Sequence, residues 1–465
     1  MPTMPTLKKT ALFALGAVIC FHLAFAGLGL SVLIVGFFYC LLRMTETESF
    51  SELYWCGLVA GMLCYSPPLA FLWRIFGVFA VSLWLVMSAW LLAFLILAWW
   101  WRRRYGLISF AIIAPFFWTG LEYFRGELYY LRFSWLSAGY AFSGSAQLRW
   151  LAGLGVYGIG FVAMALAAIL FMLPLRRRLI AGAVLLVGGL IHWPVTPIRT
   201  PVDGRVLKLA GIQLEFPARE TLMVSLHELA SRHPDADVLV LSEYTLDGQV
   251  PAEIRDFCRE RKKYLIIGGK APASGDNFYD TAFVVGPTGD IVFSQAKSVP
   301  VQFFRDGLTA LEQRVWYSPW GKIGIGICYD ASYRRVVDGL IQQGAQALIF
   351  PTMDVEDWGA QEHKLNALVT QMRAAEYQVP VFRLASSGIS EAVNADGTVQ
   401  ARADYPGQAE FITAEFHLPV EGRLPLGHWL APACTALTAG LVWWLAFTGM
   451  TKRFRREKAP QPGKN

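Results

Sequence analysis

The chain has 465 residues and a formal net charge of +6; 55% of its residues are hydrophobic and only 16% charged. Its mean hydropathy is +0.40, whereas soluble domains carry about 25% charged residues, so an ordinary soluble protein is excluded and a membrane protein with a polar insert is implied. Basic residues gather beside apolar runs, which makes them topology determinants and not a nucleic-acid footprint.

Lys8 and Lys9 open the first apolar run, Thr10–Ala26, and a second, Gly27–Leu42, ends at Arg43. The same opening also reads as a signal peptide, with Ala24-Phe25-Ala26 before Gly27 as a cleavage site. Further apolar runs are Leu53–Phe71, interrupted by Pro67 and Pro68, then Phe76–Trp100, Leu107–Tyr123, Leu151–Leu173, Leu179–Val195 and His428–Met450. Most approach the ~20 residues of a membrane-spanning helix, so about eight spans are expected. With Lys8 and Lys9 inside, Arg43, Arg102–Arg104, Arg176–Arg178 and the cluster from Lys452 to Lys458 all fall on that same side. The polar insert then faces outward. The loop Gly126–Trp150 is aromatic, with Tyr129, Tyr130, Phe133, Trp135, Tyr140 and Phe142; it either rests at the interface or meets a substrate.

The expected organisation is residues 1–200 as seven spans, 201–419 as an α/β domain, 428–450 as an eighth span and 451–465 as a basic cytoplasmic tail. Within the insert, strands are expected at Val206–Gln213, Ala236–Ser242, Tyr264–Gly269, Lys322–Cys328, Ala347–Pro351 and Val381–Ala385. Phe278–Gly286 and Asp290–Lys297 flank the turn Pro287-Thr288-Gly289 as a hairpin. Helices are expected at Glu220–His233, Glu253–Lys263, Val336–Gln343 and His363–Glu376. This alternation implies an α/β sandwich or doubly wound sheet, whose ligands bind beyond the carboxyl ends of strands.

The seven cysteines, an odd number without a C-x-x-C pair, argue against a disulfide framework or a zinc site. Five lie in or beside apolar runs, and only Cys258 and Cys328 fall in the insert. Cys258 sits on a charged helix. Cys328 ends the stretch GKIGIGICYD, whose isoleucines suit a buried strand and whose glycines suggest close backbone approach. It reads either as a small buried hydrophobe or as a nucleophile at a sheet edge. Acyl transfer through a thioester needs a thiol, a base and oxyanion donors. Cys328, Glu243 and Lys297, aided by the backbone N–H of Tyr329, can supply them.

The order Glu, Lys, Cys in LSEYTLDG, SQAKSVP and GIGICYD resembles the nitrilase (carbon–nitrogen hydrolase) superfamily over Leu207–Phe416. The resemblance implies a four-layer αββα sandwich, with Glu243 as general base, Lys297 as oxyanion stabiliser and Cys328 as nucleophile. A nitrilase-like domain framed by apolar spans is similar to the apolipoprotein N-acyltransferase family. Phe133–Val162 resembles that family's outer loop and following helix, and Thr352–Ser390 its post-cysteine loop and helix; Trp358, His363, Arg373, Glu376 and Arg383 match family positions. Arg373 and Glu376, three apart on one helix face, also suit a simple ion pair. Trp358 and His363 are candidate substrate-binding residues. Phe303, Phe304, Trp316 and Trp320 are candidates for a lipid-facing loop. The chain departs from the family after the lysine, where Asp306 and Glu312 are the candidates for a missing Glu, and after the cysteine, where Asp330 stands for Glu.

The resemblance implies an N-acyltransferase of the bacterial inner membrane with its catalytic domain on the outer face. Its partners would be a phospholipid donor and a lipoprotein amine acceptor, with no metal or organic cofactor and no nucleic acid. The alternative is a membrane-tethered amidase or nitrilase, where water replaces the amine. A transporter or receptor is disfavoured because few ionisable residues lie within the apolar runs.

Overall fold

The computed structural model describes residues 4–190, 205–407 and 409–457. The end of the run Leu179–Val195, the expected domain boundary at 200/201 and the end of the tail lie outside these residues.

The N-terminal part is helical. α1 (Met4–Phe25), α2 (Leu33–Met44), α3 (Phe50–Tyr65) and the short α4 (Phe71–Phe76) precede the long helical stretch α5 (Ala80–Tyr123). α5 is not one rod. Gly106 has φ 81 and ψ 178, outside helical values, and only glycine enters that region without strain. Phe94 packs on Trp118 at 5.2 Å and Trp90 on Phe124 at 5.7 Å between ring centroids. In a straight helix such pairs would lie roughly 36 Å apart or more. The chain therefore doubles back at Gly106, as the separate runs Phe76–Trp100 and Leu107–Tyr123 predict. α6 (Leu148–Leu151), α7 (Gly155–Met172) and α8 (Leu175–Leu190) follow, and α13 (Gly427–Glu457) returns at the other end of the chain. Among the described residues, four continuous helical stretches are long and apolar enough to cross a membrane: Lys8–Phe25, Phe71–Leu128, Leu148–Met172 and Gly427–Phe447. The second holds the α5 hairpin. α2, with 12 residues, is shorter than a span needs.

Between these helices lies an α/β sandwich. β1 (Val206–Ile212), β2 (Val238–Val240), β3 (Tyr264–Pro272), β4 (Phe278–Val285) and β5 (Ile291–Ala296) build one sheet. β6 (Val315–Tyr317), β7 (Lys322–Ile325), β8 (Ala347–Thr352), β9 (Val381–Ala385), β10 (Ser390–Val393) and β11 (Val399–Ala403) build the second. β12 (Phe411–His417) pairs antiparallel with β1 and completes the first, giving the orders β12-β1-β2-β3-β4-β5 and β11-β10-β9-β8-β7-β6. The inner faces meet in one apolar core: Leu207, Leu209, Val238 and Val240 from one sheet, Ile323, Ile325, Ile349 and Phe382 from the other. α9 (Arg219–Arg232) and α10 (Ala252–Arg261) cover the first sheet, and Leu222, Leu226 and Phe257 pack there with β-strand residues. α11 (Arg334–Gln342) and α12 (Ala360–Tyr377) cover the second. Their core is continuous with that of the membrane-type helices.

The predicted strands and helices of the insert are all present, with two differences. No strand is predicted after Ala385 or between the lysine and cysteine motifs, yet β6 and β10–β12 form there. β6, β10 and β11 are short, and tertiary pairing decides them. The second difference is the strand expected to run to Cys328, which ends at Ile325.

Candidate active site

β7 ends early because the chain must turn. Ile327 is extended, and Cys328 then takes φ 48, in the left-handed region, at the start of a 3₁₀ turn, Cys328–Ser332. A non-glycine residue held there carries strain of order 1–3 kcal/mol and persists only where its surroundings fix it. Those surroundings are visible. Gly326 passes Phe350 so closely that a Cβ would sit 2.6 Å from its ring, and Gly324 passes Leu348 at 2.7 Å. The close approach expected from the alternating glycines is real.

Asp330 fastens the turn. Its carboxylate accepts N–H bonds from Ile327 at 3.0 Å, Val299 at 2.8 Å and Ser298 at 3.0 and 3.1 Å. It thereby ties the cysteine turn to the segment directly after Lys297. This residue, a candidate accessory group in the sequence, is buried beneath the backbone it holds and is a positioning residue.

Lys297 immediately follows β5. Its Nζ lies 2.7 Å from Glu243 Oε1, 2.7 Å from Asp306 Oδ2 and 3.5 Å from Asp280 Oδ2, with all four side chains buried. Burial works against the ammonium, but Glu243, the thiol, Asp306 and Asp280 together raise its pKa. Glu243 stands just past β2, and its backbone runs so close to β3 that a Cβ on Gly268 would lie 2.5 Å from its Cα. Its Oε2 accepts the Met353 N–H at 2.7 Å, while the Met353 carbonyl faces the Cys328 Sγ at 3.7 Å. The backbone of one residue, Met353, thus touches both Glu243 and Cys328. Burial and the Glu243 charge raise the thiol pKa, and Lys297 opposes them. The resting group is a neutral thiol that needs a base at the moment of attack.

Cys328 opens on two cavities. One, of about 470 Å³, is lined by Lys297, Asp306, Lys270 and Arg305 together with apolar residues such as Phe216, Phe304 and Trp358. The other, of about 140 Å³, is apolar and runs between the sandwich and α4–α5, lined by Leu72, Phe76, Met87, Phe303, Tyr329 and Trp358. Phe303 and Phe304 both pack against Phe76 of α4, with centroids at 5.9 and 5.8 Å. Trp316, by contrast, is buried in the inter-sheet core with Trp320 packed against it, so neither forms a lipid-facing loop. Glu312 also stands apart from the lysine, on an exposed side chain near Arg314.

The aromatic loop Gly126–Trp150 does not rest free; its Leu131–Phe133 and Trp135 line the apolar groove with Cys328. It docks the sandwich on the helices: Trp135 Nε1 donates to Ser332 Oγ at 2.7 Å, and Ser134 Oγ to the Ser332 carbonyl at 3.0 Å. Arg373 pairs with Glu376 as its spacing suggests, but it also donates to the Ala331 and Ser332 carbonyls and to Tyr140 Oη. Glu376 accepts the Val156 N–H at 2.9 Å. The pair locks the cysteine turn to the helical part.

Two model families match the chain. The carbon–nitrogen hydrolase model covers residues 217–424, and the model of the apolipoprotein N-acyltransferase N-terminal domain covers residues 17–169. Residues 217–424 are thus similar to carbon–nitrogen hydrolases. Among its relatives, the apolipoprotein N-acyltransferase of Geobacter metallireducens is 24% identical over 345 residues, 63% of this chain and 66% of that protein. The matched stretch thus spans just under two thirds of that relative. The enzyme of the same name from Shewanella oneidensis is 23% identical over 66% of this chain and 68% of its own. Omega-amidase NIT2 of Mus musculus is 26% identical over 116 residues, 23% of this chain and 42% of its own. A carbon–nitrogen hydrolase structure from Helicobacter pylori covers 51% of this chain and 94% of its own, with 16% identity and a TM-score of 0.41.

Two further groups complete the site that the sequence motifs do not point to. Asp280 shares its strand face with Ala282 and Val284, which lie in the inter-sheet core; a carboxylate in that parity is a visible signal. Asp354 follows β8 and binds the Arg383 guanidinium. Glu243, Asp280 and Asp306 form one compact acidic group, and Asp354, Glu362 and His363 another. Each already contains its own cation, Lys297 or Arg383, in contact with a carboxylate.

Proposed function

We propose that this protein is a membrane N-acyltransferase working through a thioester on Cys328. The carrying observation is the position of Cys328 where an apolar groove reaching α4 and α5 meets a larger pocket that carries Lys270, Lys297 and Arg305 as well as Asp247 and Asp306. An acyl chain suits the first and a headgroup the second. Glu243 takes the thiol proton as Sγ attacks the ester carbonyl, and returns it to the leaving alcohol. Lys297 and the Tyr329 N–H stabilise the oxyanion. In the second half-reaction an amine displaces the thiol. The donor is a phospholipid, and the acceptor the N-terminal amine of a diacylated lipoprotein. The matched relatives bearing the acyltransferase name, together with the helical frame, support this reading. The distribution of basic clusters supports a sandwich on the outer face of the bacterial inner membrane.

The test is intact mass of the purified protein incubated with phospholipid. An acyl adduct that is absent in Cys328→Ala, and discharged by a lipopeptide amine, is expected. Discharge by water at the same rate without amine would overturn it in favour of an amidase-type hydrolase, the activity that the omega-amidase relatives are named for. A Cys328→Ala protein that keeps activity would sink both; a loss of about 10⁴-fold or more is expected.

A further inference from the structure

Glu362 is an unexplained group in the apolar groove. It lines that groove together with Cys328 and Asn366, although its side chain is only 2% exposed. A buried carboxylate there needs a reason. Its Oε2 faces His363 Nδ1 at 2.9 Å, and His363 Nδ1 in turn lies 3.5 Å from Asp354 Oδ2. Glu362 Oε2 and both His363 ring nitrogens have no well-formed hydrogen bond, and all are buried. Space is kept for them by Gly388, where a Cβ would meet Asp354 Oδ2 at 2.4 Å and His363 Nδ1 at 2.7 Å.

The other groups near the pair come from five parts of the chain. Arg383 of β9 binds Asp354. Asn366 of α12 donates to Asp354 Oδ1 at 3.0 Å and approaches Glu362 Oε1 at 3.5 Å. Tyr405 stacks on His363 with centroids 4.4 Å apart. Arg74 of α4 reaches the start of α12, beside Gly359, and Arg132 lines the groove.

An amine acceptor poses a proton problem that an ester donor does not. An α-amine has a pKa of about 7.7–8.0 and enters largely as ammonium at neutral pH. It must lose one proton before it can attack, and a second as the amide forms. Glu243 can handle only the second, because it carries that proton to the departing sulfur.

We infer that Glu362, held by His363, is a second proton acceptor that neutralises the incoming ammonium in the groove. This rests on the acyl-transfer reading above. The ammonium gives one proton to Glu362. The free nitrogen forms the C–N bond as the C–S bond breaks, and Glu243 passes the remaining proton from nitrogen to Sγ. The products are the amide, the neutral thiol and protonated Glu362, which releases its proton to solvent. Burial, followed by repulsion from Asp354, raises Glu362 to about 7, which suits an acceptor working near neutrality.

The test separates the two half-reactions in the full-length protein. In Glu362→Gln, acyl-enzyme forms from phospholipid at the wild-type rate, which also shows that the variant folds. Its discharge by a lipopeptide amine falls about tenfold at pH 7, because only about a tenth of such an amine is already neutral there. The deficit closes at pH 9. Hydroxylamine, uncharged at neutral pH, discharges variant and wild type alike. Slower acyl-enzyme formation, an equal defect with hydroxylamine, or a deficit that persists at pH 9 would each overturn the inference. If wild type forms no adduct on Cys328, the acyl-transfer reading itself falls.

Discussion

Near Cys328, one ammonium, Lys297, sits among three carboxylates, Glu243, Asp280 and Asp306. In the neighbouring cluster the Arg383 guanidinium and His363 sit with two, Asp354 and Glu362. The burial is alike, and the charge balance is not. Two protonated bases match two carboxylates in the second cluster, so every group there can be ionised. In the first, one ammonium faces three carboxylates, and even with one acid protonated a net negative charge remains. Asp306 accepts Tyr244 Oη and the Val301 N–H, and Glu243 accepts the Met353 N–H. Neither carboxylate oxygen of Asp280 has a well-formed hydrogen bond. Burial, with Glu243 beside it, raises the Asp280 pKa well above the carboxylate range. Of the three, Asp280 is the one whose surroundings most favour the neutral form.

Removing the cation tests the first cluster most severely. Lys297→Met leaves buried carboxylates uncompensated and is expected to cost about 3–5 kcal/mol, read as a lowered melting midpoint, with activity abolished. A cost under about 1 kcal/mol would mean that the ammonium does not hold the cluster. Asp330→Ala comes next. It strips the acceptor from the Ser298, Val299 and Ile327 N–H groups, at a total of about 3 kcal/mol. Since Asp330 only positions, kcat should fall with KM little changed.

His363 sharpens the contrast through pH. Burial opposes its charged form, yet Asp354 and Glu362 raise its pKa from 6.5 to about 9. A raised pKa in a base gives stability that is fully present below about pH 6.5 and lost as pH rises through about 9. The change amounts to about 3 kcal/mol. Melting midpoints from pH 6 to 10 should show this fall in wild type and not in His363→Gln.

The smallest effect is predicted for Asp280→Asn. A neutral amide replaces a neutral acid of the same shape, so activity should stay within about threefold and stability within about 1 kcal/mol at neutral pH. The sign of its pH dependence is opposite in origin to that of a salt-bridged acid. The folded state keeps a proton that the unfolded chain loses above about pH 3.9, so this group lowers stability as pH rises beyond that value. Asp280→Asn should remove that slope. A hundredfold loss of activity would show that Asp280 is ionised and would break the comparison between the clusters.

Much of this was legible in the residues. Apolar runs beside basic clusters marked helices, and alternation between strand and helix patterns marked the sandwich, because both signals are local and periodic. The order of Glu243, Lys297 and Cys328 brought out three groups that the fold gathers around one peptide and one cavity. Short strands such as β10 and β11 were not legible, since their pairing partners and not their composition make them strands. Trp316 and Trp320 looked like lipid contacts because aromatic content alone does not distinguish a buried face from an exposed one.

By itself, then, the sequence determined the two-part architecture and singled out Glu243, Lys297 and Cys328, which the fold brings together. Tertiary structure decided which carboxylates matter. Asp306 joins Lys297 while Glu312 points to solvent, and Asp330 clamps backbone while Asp280 holds a proton. The physical reason is that a carboxylate's role depends on its desolvation and on the donors within about 3 Å of it. Those are properties of spatial neighbours that lie tens of residues apart along the chain.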